Sequence, residues 1–169
     1  MSSPPHNIVP AHLPLNAAIF RQASLVVILT HAEVYPSGCA LYIALRANVV
    51  ALEQQRHVGQ LVADYAQDVG EFTVAVVRNG QRQVAEFDTL TSPEPFYRIN
   101  ASGGGQLWRM SYWLAPIPTG SCSLLMHAPS LGIDMAEVEI DSDQVAEAAL
   151  GAEELWPGQT GEHGARSVV

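Results

Sequence analysis

Lysine is absent from this 169-residue chain; all eight basic residues are arginine. Schiff-base catalysis and covalently held pyridoxal phosphate both need a lysine amine, so both are excluded. A Walker A loop is excluded too, because its lysine reaches the β- and γ-phosphates. Charge of either sign is scarce, at 15% of residues, and lopsided, with a formal net charge of −9. The arginines (Arg21, Arg46, Arg56, Arg78, Arg82, Arg98, Arg109, Arg166) are dispersed along the chain. No concentrated basic patch is available to neutralise phosphates, so neither nucleic acid nor an anionic membrane is expected as a partner. A surface this poor in charge points instead to a buried interface with a protein partner or a second copy.

Cysteine is nearly missing as well. Cys39 and Cys122 cannot build a disulfide framework and read as small core thiols on strands. No apolar run approaches the ~20 residues of a helical membrane span. Met1–Pro5 has neither a positive n-region nor an apolar h-region, so no signal peptide is expected and the cytoplasm is the expected compartment.

What is present is turn chemistry at regular spacing. With 48% hydrophobic residues, the chain suits one domain with a sizeable core. Three strand–turn–strand units stand out. Leu25–Tyr35 meets Cys39–Arg46 across Pro36-Ser37-Gly38. Phe72–Arg78 meets Gln81–Phe87 across Asn79-Gly80. Gln106–Ile117 meets Ser121–Ala128 across Pro118-Thr119-Gly120. Asn-Gly suits a type I′ turn because both central residues need positive φ. That turn sets Arg78 opposite Gln81, Val76 opposite Gln83, Val74 opposite Ala85 and Phe72 opposite Phe87.

Alternation assigns faces. Cys39, Leu41, Ile43 and Leu45 point inward; so do Cys122, Leu124 and Met126, and Ala136, Val138 and Ile140. Asp141 and Gln144 form a capping-box pattern before Val145, Ala148, Ala149, Ala152 and Leu155 or Trp156, and Pro157-Gly158 stops that helix. The expected fold is mainly β: an antiparallel β-sandwich of about seven or eight strands, Ig-like in general architecture, with a C-terminal α-helix. Residues 1–22 read as a loose arm and 23–157 as one domain closed by a helix over 142–156. A short helix is expected within 47–70, and 158–169 read as a disordered tail.

Catalytic motifs are thin. Gly103-Gly104-Gly105 lacks the lysine of a phosphate loop and reads as a flexible entry to a strand. His31-Ala32-Glu33 has the spacing of a zinc-deaminase motif without its Pro-Cys-x-x-Cys. On a strand, His31 and Glu33 share a face, and His127 or Glu86 are the candidate third ligands. No Gly-x-Ser-x-Gly elbow exists, and neither cysteine has a sequence-adjacent histidine. Trp108 and Tyr112 read as core. Trp113 and Leu107 share the opposite face with Arg109 and read as an exposed anchor patch, since Trp and Arg are enriched at interface hot spots.

The chain resembles an uncharacterised group of actinobacterial β-sandwich proteins. The resemblance rests on Val34-Tyr35-Pro36-Ser37-Gly38, on Gly103–Gly105 with Trp108, on the run from Tyr112 through Trp113 to Gly120, and on Glu154-Leu155-Trp156-Pro157. It covers roughly residues 24–157 and implies an architecture and a bacterial source, with no activity attached. Ala128-Pro129-Ser130 departs from the pattern, which has a tryptophan before the proline.

The expected function is a non-enzymatic protein-interaction or structural module, without cofactor, contacting its partner through Leu107, Arg109 and Trp113. Two alternatives stand beside it. One is a small-molecule or carbohydrate-binding sandwich using the same aromatics. The other is a metal-dependent enzyme built on His31, Glu33 and His127.

Overall fold

The structure, a computed structural model, describes residues 3–48, 72–85, 95–104 and 106–157. The helix expected within 47–70, Glu86, Phe87 and the tail from 158 lie outside the described residues.

The strands are β1 (Ile8–Val9), β2 (Ala11–Arg21), β3 (Leu25–Tyr35), β4 (Gly38–Ala47), β5 (Thr73–Arg78), β6 (Gln81–Val84), β7 (Phe96–Gly104), β8 (Leu107–Leu114), β9 (Cys122–Ala128), β10 (Ile133–Glu139) and β11 (Glu153–Glu154), with helix α1 (Ser142–Ala149) between the last two. They form a mainly β, antiparallel sandwich. One sheet runs β2-β3-β4-β8-β7, the other β10-β9-β5-β6, and β1 pairs β11 in a separate ribbon.

The core follows from alternation. Leu25, Val27 and Leu29 of β3, then Ala32 and Val34 past a register shift, face the same interior as Cys39, Leu41, Ile43 and Leu45 of β4. Cys122, Leu124, Met126 and Ala128 of β9 meet them from the other sheet with Val74 and Val76 of β5. Strand β3 is central between β2 and β4; Leu25, Val27 and Leu29 are buried in the interior, and the apolar Val26 and Ile28 on the other face are half-buried.

The Asn-Gly hairpin has the expected register, Arg78 opposite Gln81 and Val76 opposite Gln83. Asn79 and Gly80 take φ of 49° and 79°, as a type I′ turn requires. The first hairpin also forms, with Tyr35 opposite Gly38.

Three expectations are corrected. First, β8 and β9 are not a hairpin: β8 pairs β4 and β7, whereas β9 pairs β5 and β10. The Pro116–Gly120 stretch is an arch between sheets, and its turn residues carry no information about which layer the next strand joins. The β5–β6 tip buttresses this arch. Asn79 donates from its backbone amide to the Ser121 carbonyl (2.9 Å) and from Nδ2 to the Thr119 carbonyl (3.2 Å). Arg78 Nη1 donates to the Ala115 carbonyl at 3.2 Å. Second, residues 11–21 are no loose arm but the edge strand β2. Its burial still alternates from Ala11 to Ile19, but Pro14 and Asn16 (φ 49°), at the register shift between Pro14 and Ala17, are residues of turns rather than strands and hide it from pattern reading. Third, the helix ends at Ala149 rather than at 156, and the chain then turns back to pair Glu153 and Glu154 with Val9 and Ile8. The Asp141 cap is as expected, its carboxylate accepting from the amides of Asp143 and Gln144 at 3.0 and 3.1 Å.

Candidate functional site

The outer face of the five-stranded sheet carries the densest grouping of polar and aromatic chemistry. The register shift between Leu29 and His31 turns His31 outward beside Tyr42 of β4. Their rings stack at 4.3 Å with an 8° tilt, and His12 of β2 stacks on the other side of His31 at 4.7 Å. Thr30 Oγ1 donates to the Tyr42 carbonyl at 3.0 Å and lies 3.0 Å from His31 Nδ1. A hydroxyl has one proton, so Thr30 accepts from His31, which fixes the Nδ1–H tautomer and leaves Nε2 as the acceptor. Tyr42 Oη donates to Glu33 Oε2 at 2.8 Å.

Burial and the neighbouring His12 push the His31 pKa below its ordinary value, against the pull of Glu33. Burial, then the bond to Glu33, raises the Tyr42 hydroxyl well above the usual tyrosine range. Burial and Glu33 raise Tyr35 too. These shifts favour the neutral imidazole of His31 and the protonated phenols of Tyr35 and Tyr42.

Beside it lies a second apolar cluster of Tyr35, Ala40, Tyr97, Trp113 and Ala115, with Ile8 of β1 and Tyr42 packed against it. Here the anchor-patch expectation is corrected. Leu107, Arg109 and Trp113 do share the outer face, but Trp113 is fully buried, Leu107 half-buried and Arg109 exposed. Tyr35 meets the Trp113 ring edge-on at 5.5 Å, and the β1 strand covers the cluster. The sequence reading missed β1, whose Ile8 packs against this cluster, and the Tyr35 and Gly38 neighbours that help bury Trp113. A stacking wall for sugar built on Trp113 loses its support for the same reason.

The metal set is also separated. His31 and Glu33 stand on the outer face of the five-stranded sheet. His127 alternates with the inward Met126 and Ala128 of β9, so it faces outward from the opposite sheet, its Nδ1 against the Asp134 carbonyl. Among the described residues no group of three or more His, Cys, Asp or Glu side chains is arranged to hold a metal ion. Cys39 and Cys122 are buried free thiols in the core, and burial pushes them up to about 12 and about 11. Neither is a nucleophile at neutral pH.

Sequence reasoning missed the exposed apolar residues near the β1–β11 ribbon. Leu150 is 87% exposed, Trp156 54%, Leu155 47% and Val9 45%. Val9 pairs with Glu153, and the Leu155 amide donates to the Asn7 carbonyl at 2.8 Å. The sequence pattern ends the helix's apolar face at Leu155 or Trp156; with the helix ending at Ala149, both fall outside it. An open depression of about 570 Å³ lies at the start of α1, lined by Gly120, Ser121 and the run from Glu139 to Asp143.

No family model, curated protein or solved structure matches this chain. Among the described residues no helix is long and apolar enough to cross a membrane.

Proposed function

We propose that this chain is a non-enzymatic protein-interaction module of the cytoplasm. The observation that carries the reading is that Val9, Leu155 and Trp156, at or next to the paired β1–β11 ribbon, stay 45%, 47% and 54% exposed, with Leu150 87% exposed just before it in the chain. Leaving four such side chains in water is unfavourable, and exposed apolar clusters with polar rims mark docking surfaces. Trp is also the residue type most enriched at interface hot spots.

Glu153 and Glu154 sit in the same ribbon and are exposed. Their charge disfavours a second copy of this acidic chain at this surface. The partner is therefore another polypeptide, with an apolar pocket rimmed by lysine or arginine. Two free core thiols suit a reducing compartment.

The test is photo-crosslinking from a benzoylphenylalanine placed at position 150 in the source cells, followed by affinity measurement with the purified adduct partner. The reading expects one distinct polypeptide, bound at least about tenfold more weakly by Trp156→Ser. It also expects binding to weaken with Glu154→Lys. No adduct, or an unchanged affinity for Trp156→Ser, would overturn it.

A further inference from the structure

Among the described residues the two large sheets have four edge strands, and three are blocked against further pairing. Strand β2 carries Pro14, Asn16 at φ 49° and two register shifts. Strand β10 carries a register shift and the carboxylates Asp134, Glu137 and Glu139. Strand β6 is only four residues long and includes Arg82. Prolines, bulges, charges and short length are the devices by which native edges avoid adding strands.

Strand β7 differs. Its one register shift falls between Arg98 and Asn100, and from Asn100 to Gly104 the pairing with β8 is unbroken. Ile99–Gly104 contains neither a charge nor a proline. Ile99, Asn100, Ser102, Gly103 and Gly104 are exposed. Among the described residues β7 pairs only with β8.

The direction of its backbone groups follows from alternation. The Ala115 amide bonds the Pro95 carbonyl at 2.8 Å on the β7 side, and the Gln106 carbonyl accepts from Ala47 at 2.9 Å on the β4 side. Odd-numbered β8 residues therefore bond toward β7, so Asn100, Ser102 and Gly104 are the β7 residues that bond β8. The amide and carbonyl of Ala101 and Gly103 point away from the sheet. Such a row of donors and acceptors is a template on which another extended backbone can pair in place of water.

We propose that β7 pairs antiparallel with β7 of a second copy of this chain, joining two five-stranded sheets into one continuous sheet. A segment without charge lets two chains of net charge −9 meet without carboxylate opposing carboxylate. A two-fold axis at Ala101 places Asn100 opposite Ser102 of the second copy, and the exposed Ile99 opposite Gly103, which has no side chain to obstruct it. The pairing residues Ile99–Gly104 are none of those in the β1–β11 ribbon, so the self-pairing is tested independently of the proposed function.

Light scattering coupled to size exclusion, over a roughly hundredfold concentration range, reads the outcome. The expected mass rises from that of one chain to twice that value. Ser102→Glu is expected to hold the chain as a monomer, and Ala101→Pro to do the same by deleting an outward amide. Circular dichroism shows whether each variant keeps its fold. Trp156→Ser is expected to leave the dimer intact. Mixing Ser102→Glu with Asn100→Arg is expected to restore a dimer, because the new carboxylate then faces a guanidinium; this arm decides the matter should Ala101→Pro fail to fold. A monomer at every concentration overturns the inference, as does a dimer that survives Ser102→Glu.

Discussion

Tyr42 and Glu33, on neighbouring strands β4 and β3, share a hydrogen bond of 2.8 Å at the centre of the outer-face ladder. The same tyrosine stacks on His31. Tyr42→Phe keeps the stack and deletes the hydroxyl. A half-buried bond to a carboxylate sets the expected loss at about 1 kcal/mol, read as a shift of the urea midpoint with unchanged slope. No loss would mean that water replaces the phenol at no cost.

The ladder also makes stability depend on pH. The folded state lowers the His31 pKa below its ordinary 6.5, so below that value the unfolded chain binds more protons than the folded one. The His31 contribution is therefore fully present above pH 6.5 and is lost as pH falls toward the lowered value. Urea midpoints at neutral and mildly acidic pH are expected to drop across this window. His31→Phe, which keeps a stacking ring without a proton site, is expected to flatten that part of the profile. An unchanged slope in the variant would assign the pH dependence to another group.

Gly38 lies against Trp113. A Cβ at position 38 would sit 2.5 Å from the Leu114 carbonyl oxygen and 2.7 Å from the Trp113 ring. Backbone and a fully packed indole cannot both retreat. Gly38→Ala is expected to destabilise by about 1–3 kcal/mol, measured by thermal or urea unfolding.

The tryptophans separate structure from surface. Trp113→Ala is expected to cost about 3–5 kcal/mol, as removal of a fully buried aromatic does. Trp156→Ser is expected to stay within about 0.5 kcal/mol of the parent, because the side chain is half in water. A stability loss at Trp156 comparable to that at Trp113 would show that the ribbon is structural rather than a docking surface.

The thiols offer an independent check on the core. Burial raises Cys39 and Cys122 to about 12 and about 11, so neither is expected to react with a thiol reagent at pH 8 in the folded protein. Both are expected to react together on unfolding. Fast labelling of one thiol under native conditions would show local opening at that strand.

Much of the sandwich was legible because period-two alternation and Asn-Gly chemistry act locally. The faces of β4, β9 and the 73–84 hairpin are as the pattern requires. What escaped was non-local. Pro14 and Asn16 are turn-type residues within β2, yet β3 holds that stretch in the sheet with its alternation intact. The Pro116–Gly120 arch uses hairpin residues to change layers. Trp113 reads as a surface residue until Tyr35 of β3 and the cluster that Ile8 packs against, some hundred positions away in sequence, are brought beside it. For the candidate site, His31 and Glu33 were rightly placed on one face, but their companions His12 and Tyr42 come from register, which sequence does not display.

The β1–β11 ribbon ties the chain near Asn7 to the chain near Leu155 through paired backbone. Entry and exit of the domain are thereby brought to one spot. A domain with that property can be spliced into a loop of a host protein without stretching the host apart. Its ends can also be joined by a short linker and reopened elsewhere, for instance at the Asn79-Gly80 tip, with the sheet order retained.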